Sequence, residues 1–167
     1  TTGTTEYQET SISQEYDHLL LKASVRSEAV AENDRFTIKL NFQDAGVYNV
    51  TDLVTSTVSP TSGTESGYTN EMQCGMTPAA NATADTFGPV TMWIPHYSNT
   101  DNFKQVLVTQ AFPNVSNTDG EWQISTRAVL FRHPTDDTRA ITTIQVRRNS
   151  SDFAQYSTFT LYGITGA

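Results

Sequence analysis

The chain has 167 residues, a net charge of −8 and a pI near 4.7, about one ordinary domain with enough apolar residues to bury a core unaided. The acidic balance argues against nucleic acid or an anionic membrane as a direct partner, because both demand a basic face. No run approaches the ~18 apolar residues of a membrane-spanning helix.

Residues 1–13, TTGTTEYQETSIS, carry only Tyr7 and Ile12 as sizeable apolar groups. Such a segment cannot offset its own ordering entropy, so it is expected to be an extended arm, flexible or laid across a neighbour, ahead of a single domain over 14–167. Strand patterns then follow one another. YDHLLLKASVRSE is apolar at Leu19, Leu21, Ala23 and Val25, and DRFTIKLNF alternates Phe36, Ile38, Leu40 and Phe42 with Thr37, Lys39 and Asn41. DAGVYNVTDLVTSTV is a β-branched run, and its stretch Asn49 to Leu53 offers the best candidate for a single helical turn. Residues 59–89 are rich in Gly and Pro and too long for a simple connection, which predicts an excursion with one short strand near Glu71 to Met76.

Strands resume at VTMWIPHY, FKQVLVTQAF, EWQISTRAVLF, AITTIQVRR and STFTLYGI. The junctions SNTDN and SNTDG read as turns, the second through Asp119-Gly120, so 90–131 is expected to form a three-strand antiparallel meander. No stretch holds a 3.6-residue period over three turns. Eight or nine short strands without covering helices predict an all-β protein, an antiparallel β-sandwich of jelly-roll-like type. In such a sandwich the closing strand packs Phe159 and Leu161 inward, and Gly163 allows a sharp turn or a close approach.

Chemistry-bearing patterns are sparse. There is no nucleophile elbow and no Gly-rich phosphate loop. His18, His96 and His133 fall at no metal-ligand spacing, and SNTDGEW lacks the acidic residue that ends a calcium loop. Asp136-Asp137 reads as a turn, Arg147-Arg148 as a solvated strand face, and the single Cys74 excludes an intrachain disulfide and suits a reducing cytoplasm. No catalytic residue, cofactor or metal ligand is nominated. Among the aromatics, Trp93 and Trp122 lie within strand patterns and read as core. Tyr48, Tyr68 and Tyr97 sit beside turns and, with Asn99, are the candidates for stacking on a partner or a sugar ring. Tyr7 and Ile12 are the candidate contacts of the arm.

The order of several short motifs resembles tailed-bacteriophage virion proteins with a jelly-roll or related β-sandwich module. These are YDHLLLKASVRSE, LNFQDAGVYN (Asn41, Asp44, Gly46, Tyr48), IPHYSNTDNFK, GEWQIS and DFAQYSTFTLYGI (Phe153, Ser157, Leu161, Tyr162, Gly163). Two positions depart from the pattern: Gln43 and Tyr156 stand where glycine is expected. The resemblance implies a non-enzymatic particle component made in the host cytoplasm and carried on the outer surface of the virion. A capsid decoration (cement) protein is the leading expectation, bound to the major capsid protein or other virion proteins as a small homo-oligomer, with a trimer favoured. A tail-fibre or spike module that binds a receptor or glycan is the alternative.

Overall fold

The computed structural model describes residues 4–43, 48–56, 60–69, 71–112, 123–132, 138–148 and 151–166. Among them are eleven strands and no helix: β1 (Glu6–Glu9), β2 (His18–Val25), β3 (Asn33–Leu40), β4 (Tyr48–Ser56), β5 (Pro60–Thr69), β6 (Met72–Pro78), β7 (Gly88–Pro95), β8 (Lys104–Phe112), β9 (Gln123–Phe131), β10 (Ile144–Arg148) and β11 (Thr158–Ile164). Period-2 alternation sorts each strand into two faces. In β8 the buried residues are Lys104, Val106, Val108, Gln110 and Phe112, with Gln105, Leu107 and Thr109 exposed between them.

The strands form two antiparallel sheets, one of four in the order β1-β10-β3-β6 and one of seven in the order β11-β2-β7-β8-β9-β4-β5. Leu19, Leu21, Met92, Ile94, Val106, Val108, Val129 and Phe131 of the larger sheet pack with Phe36, Ile38, Leu40, Met72, Ile144 and Val146 of the smaller in one core. This is a β-sandwich. A jelly roll winds about eight strands through two Greek keys; the seven-and-four division and the consecutive run β7-β8-β9 give the plainer description here. That run is the predicted meander, with Trp93 opposite Leu107 and Leu107 opposite Ala128.

Several expectations change. The stretch around Asn49 to Leu53 is strand: all nine residues of β4 pair with β9, which supplies partners that one isolated helical turn would lack. The excursion after Ser56 holds two strands, β5 paired to β4 and β6 paired to β3. β6 carries a bulge at Cys74: Phe36 pairs with Gly75 and Thr37 with Gln73, and Gly75 takes φ 127°.

The loop after β6 is held from β2's end. Arg26 donates to the carbonyls of Thr83 (2.8 Å), Thr86 (3.0 Å), Ala82 (3.1 Å) and Ala80 (3.4 Å). The N-terminal segment is part of the fold. Glu6 to Glu9 pair with β10, Thr4 bridges Phe153, and the Ile12 N–H donates to the Thr142 carbonyl at 3.0 Å.

The motif residues are structural pins. Asn41, at φ 53°, accepts at Oδ1 from the Thr142 N–H (2.8 Å) and donates through Nδ2 to the Ala140 carbonyl (2.9 Å). Ser157 Oγ accepts from the Arg26 N–H at 3.2 Å, and Phe153 is buried. The first motif meets the last. The Tyr16 ring lies against Gly163, where any Cβ would collide with it, and the Gly166 N–H donates to Asp17 Oδ2 at 2.5 Å. Gly163 therefore serves a close approach within the chain, and β11 is an edge strand paired along its length to β2. Tyr156 is the departure with a visible cost. It sits at φ 72° with 77% of its surface exposed. For a residue with a Cβ that conformation costs about 1–2 kcal/mol.

Candidate interaction face

The two outer faces of the sandwich differ in chemistry. The smaller sheet presents charges that satisfy one another. Lys39 Nζ lies 3.2 Å from Glu71, Arg147 lies 3.5 Å from Glu71 and 3.9 Å from Glu6, and Gln145 Nε2 donates to Glu6 at 2.7 Å. These contacts leave Lys39 and Gln145 almost buried, although the alternation in DRFTIKLNF sends Lys39 outward. Arg148, at the end of β10, turns the other way. Its side chain is fully buried against Asp34 and over the Phe153 ring at 5.3 Å, which corrects its reading as a solvated face. Ser27 and Ser151 donate to the same Asp34 oxygen at 2.8 and 3.0 Å. Burial pushes the Asp34 carboxyl up, but Arg148 and the two hydroxyls outweigh it and hold the group below the usual carboxylate range.

The outer face of the larger sheet is almost uncharged. Register aligns Tyr162, Leu20, Trp93, Leu107, Ala128 and Thr51 in one row across β11, β2, β7, β8, β9 and β4. The adjacent row reads Thr160, Lys22, Thr91, Thr109, Thr126 and Leu53. Lys22 is the single charged side chain in these two rows. Leu53, Leu107, Ile124 and Tyr162 are each about half exposed. In a chain with a net charge of −8, such a contiguous apolar and hydroxylic surface is the kind that covers another molecule.

Near the middle of the face is a shallow hollow of about 490 Å³ lined by Trp93, Pro95, Leu107 and Leu130 with Asn49, Thr51 and Gln105. Trp93 is half-buried and outward-facing, so its sequence reading as a core residue is corrected. His18 packs on it at 4.9 Å, meets His96 edge-on at 4.7 Å and accepts at Nδ1 from the His96 N–H at 3.1 Å. His96 takes φ 47°, which turns the chain at the end of β7.

The residues nominated from sequence do not converge on this face. Tyr48 is fully buried; its hydroxyl accepts from the Leu40 N–H at 2.7 Å and its ring lies 5.3 Å from Phe131. Tyr97 is fully buried too, donating its hydroxyl to the Ser13 carbonyl. Neither can stack on a ligand: turn-adjacent tyrosines have been drawn into the core, each with a partner for its hydroxyl. Asn99 Oδ1 accepts from the N–H groups of Asp101 (2.6 Å) and Asn102 (3.2 Å), an Asx turn that fixes the β7–β8 junction. Tyr68 lies on β5, with its side chain outside the described residues, as are Trp122, His133 and Asp136-Asp137.

Tyr7 and Ile12 belong to the seam where β1 approaches β11. Tyr7 stacks on Phe159 at 4.7 Å with ring planes 8° apart and donates to Glu9 Oε1 at 2.9 Å, and Ile12 packs on the core. Burial, and then the Glu9 carboxylate, raise the Tyr7 phenol's pKa. Cys74 is buried, and burial pushes its thiol well above the usual range, so it is held as the protonated, inert form. Among the described residues no three His, Cys, Asp or Glu side chains are grouped to hold a metal ion.

Sequence alternation contained the apolar row but not its side. In VTMWIPHY both period-2 registers are apolar, Val90-Met92-Ile94 and Trp93-Pro95, so the pattern marks a strand without saying which half faces the core. The chain matches no protein-family model, no curated protein and no solved structure.

Proposed function

We propose that this chain is a non-enzymatic structural protein of a phage-type virion, a small homo-oligomer that docks on the particle's outer surface as a capsid decoration component. The observation that carries the reading is the outer face of the larger sheet. It has one row through six strands that is apolar but for Thr51, and one charge in its two central rows, opposite a sheet on which Lys39, Glu71, Arg147 and Glu6 pair with one another. Desolvating such a face costs little, so a flat partner surface can cover it with net gain. The order of the sequence motifs supports the particle context, and Asn41, Ser157 and Gly163 of those motifs make contacts within the sandwich.

The test adds purified chain to particles that lack it and counts bound copies by quantitative mass spectrometry. Saturable binding with copies in the hundreds, abolished by Leu107→Glu with Ile124→Glu, is the expected outcome. No binding, or binding indifferent to those changes, rejects this role.

A second reading has its own observation. The Trp93 hollow pairs an aromatic face with two amides and a hydroxyl and has no charged lining residue, which suits a neutral glycan on a tail fibre or spike. A glycan array with Trp93→Ala as control decides it: saturable binding lost in the variant supports this reading, and no saturable binding removes it.

A further inference from the structure

We propose that β11 is a self-association edge, pairing antiparallel with β11 of a second copy to join two seven-stranded sheets into one. Three independent observations lead to it. First, β11 ends the seven-stranded sheet, and among the described residues no strand pairs with its outer side. A seven-residue edge leaves a row of backbone donors and acceptors ready for another strand. Natural edges are blunted with charge or proline, as β1 is by Glu6 and Glu9. β11 has neither.

Second, the charge distribution selects the occupant. The chain carries 18 acidic and 10 basic residues, yet from Phe153 to Gly166 there is no charged side chain. Two copies of a −8 protein repel over most of their surfaces and can approach here without opposing like charges. The strand also complements itself. With Leu161, the midpoint of β11, on the two-fold axis, Thr160 lies opposite the second copy's Tyr162 and Phe159 opposite its Gly163. Bulky and small residues interdigitate, and inward and outward faces stay in phase.

Third, the approach to the edge holds the exposed, positive-φ Tyr156. With Tyr7, Phe153 and Phe159 it lines an open hollow of about 400 Å³ at one end of the β1–β11 seam. A second hollow of about 280 Å³, lined by Ile12, Tyr16, Leu161 and Gly163, lies at the other end. In the register centred on Leu161, Thr158 lies opposite the second copy's Ile164, so the approach segment that holds Tyr156 runs toward the end of that copy where the second hollow, lined by Gly163 and Leu161, lies. Within one copy Tyr156 holds a disfavoured backbone conformation while most of its surface stays exposed; a partner's hollow gives the ring a place.

This pairing deepens the homo-oligomer part of the proposed function, and it is isologous, so it gives a dimer where the resemblance favours a trimer. It is read in free solution, and its failure would leave the particle-binding count untouched. Sedimentation velocity of the full chain is expected to show a species of twice 18.4 kDa that grows with concentration. Hydrogen exchange is expected to show the amides of 158–164 more protected in the associated form. Tyr156→Asn, which tolerates positive φ, should weaken association roughly tenfold or more without lowering the melting temperature. Thr160→Lys with Tyr162→Lys sets lysines against lysines and should give monomer. A chain that stays monomeric up to sub-millimolar concentration overturns the proposal, as does an oligomer whose 158–164 amides exchange as fast as in the monomer. If Tyr156→Asn melts early, the wild-type exchange pattern alone decides.

Discussion

Two residues show how much of this fold rests on single atoms. At Gly75 the bulge in β6 needs φ 127°, and a Cβ there would lie 2.6 Å from Gln110 Cγ. Gln110 cannot simply swing away, because its amide donates to Ser125 Oγ at 2.9 Å inside the sheet. Gly75→Ala is therefore expected to destabilise by about 1–3 kcal/mol through strain and overpacking, read as a lower urea midpoint with unchanged m-value. Arg148 is the second. Its guanidinium is buried with Asp34 as the ion partner, so Asp34→Asn leaves a buried charge uncompensated, at a cost of about 3–5 kcal/mol. The same pair sets a pH dependence. Asp34 is held below its unfolded pKa, so its stabilisation is complete above about pH 4 and is lost as pH falls through the depressed folded value. Acid titration of stability should show that loss in the wild type and a shallower slope in Asp34→Asn.

At the scale of elements, the Gly/Pro-rich excursion is a loop organised by one side chain. Arg26 reaches the carbonyls of Ala80, Ala82, Thr83 and Thr86 through two nitrogens, a fork that an ammonium cannot reproduce. Arg26→Lys should cost about 1.5–3 kcal/mol and speed hydrogen exchange across 79–87 before it affects the sheets. The N-terminal segment is a second case. Removing residues 1–13 would strip β1 from β10, uncover Phe159 and leave the buried Tyr97 hydroxyl without the Ser13 carbonyl. The truncated chain is expected to melt well below the full one. An unchanged melting temperature would mean that the segment contributes only through a neighbouring molecule. A polar 13-residue stretch reads as an arm because its value lies in what it covers, and that is fixed by residues over a hundred positions away.

For the whole molecule the informative asymmetry is between the two outer faces. One pairs Lys39, Glu71, Arg147 and Glu6 with one another; the other is apolar and hydroxylic and ends at an uncharged edge. Leu107→Glu with Ile124→Glu changes only exposed positions, so the fold should hold to within about 1 kcal/mol while docking is lost. Equal melting curves with unequal binding would separate the face's role from the fold's. A large drop in melting temperature would show that the face is needed by the sandwich itself.

The sequence by itself determined the class of structure and most of its elements. Alternation in DRFTIKLNF, FKQVLVTQAF and STFTLYGI is local, and it appears as β3, β8 and β11 with Phe36, Val106 and Leu161 turned inward. It also identified Gly163 as a point of close approach. Tertiary structure alone decided which face is which. A two-residue period offers two sides, and only pairing to distant strands chooses between them. That choice put Trp93 outside, Tyr48 and Tyr97 inside, Lys39 under an acidic neighbour and Arg148 in the core. The candidate interaction face is a row of residues from six strands that register brings side by side, so no window of sequence contains it.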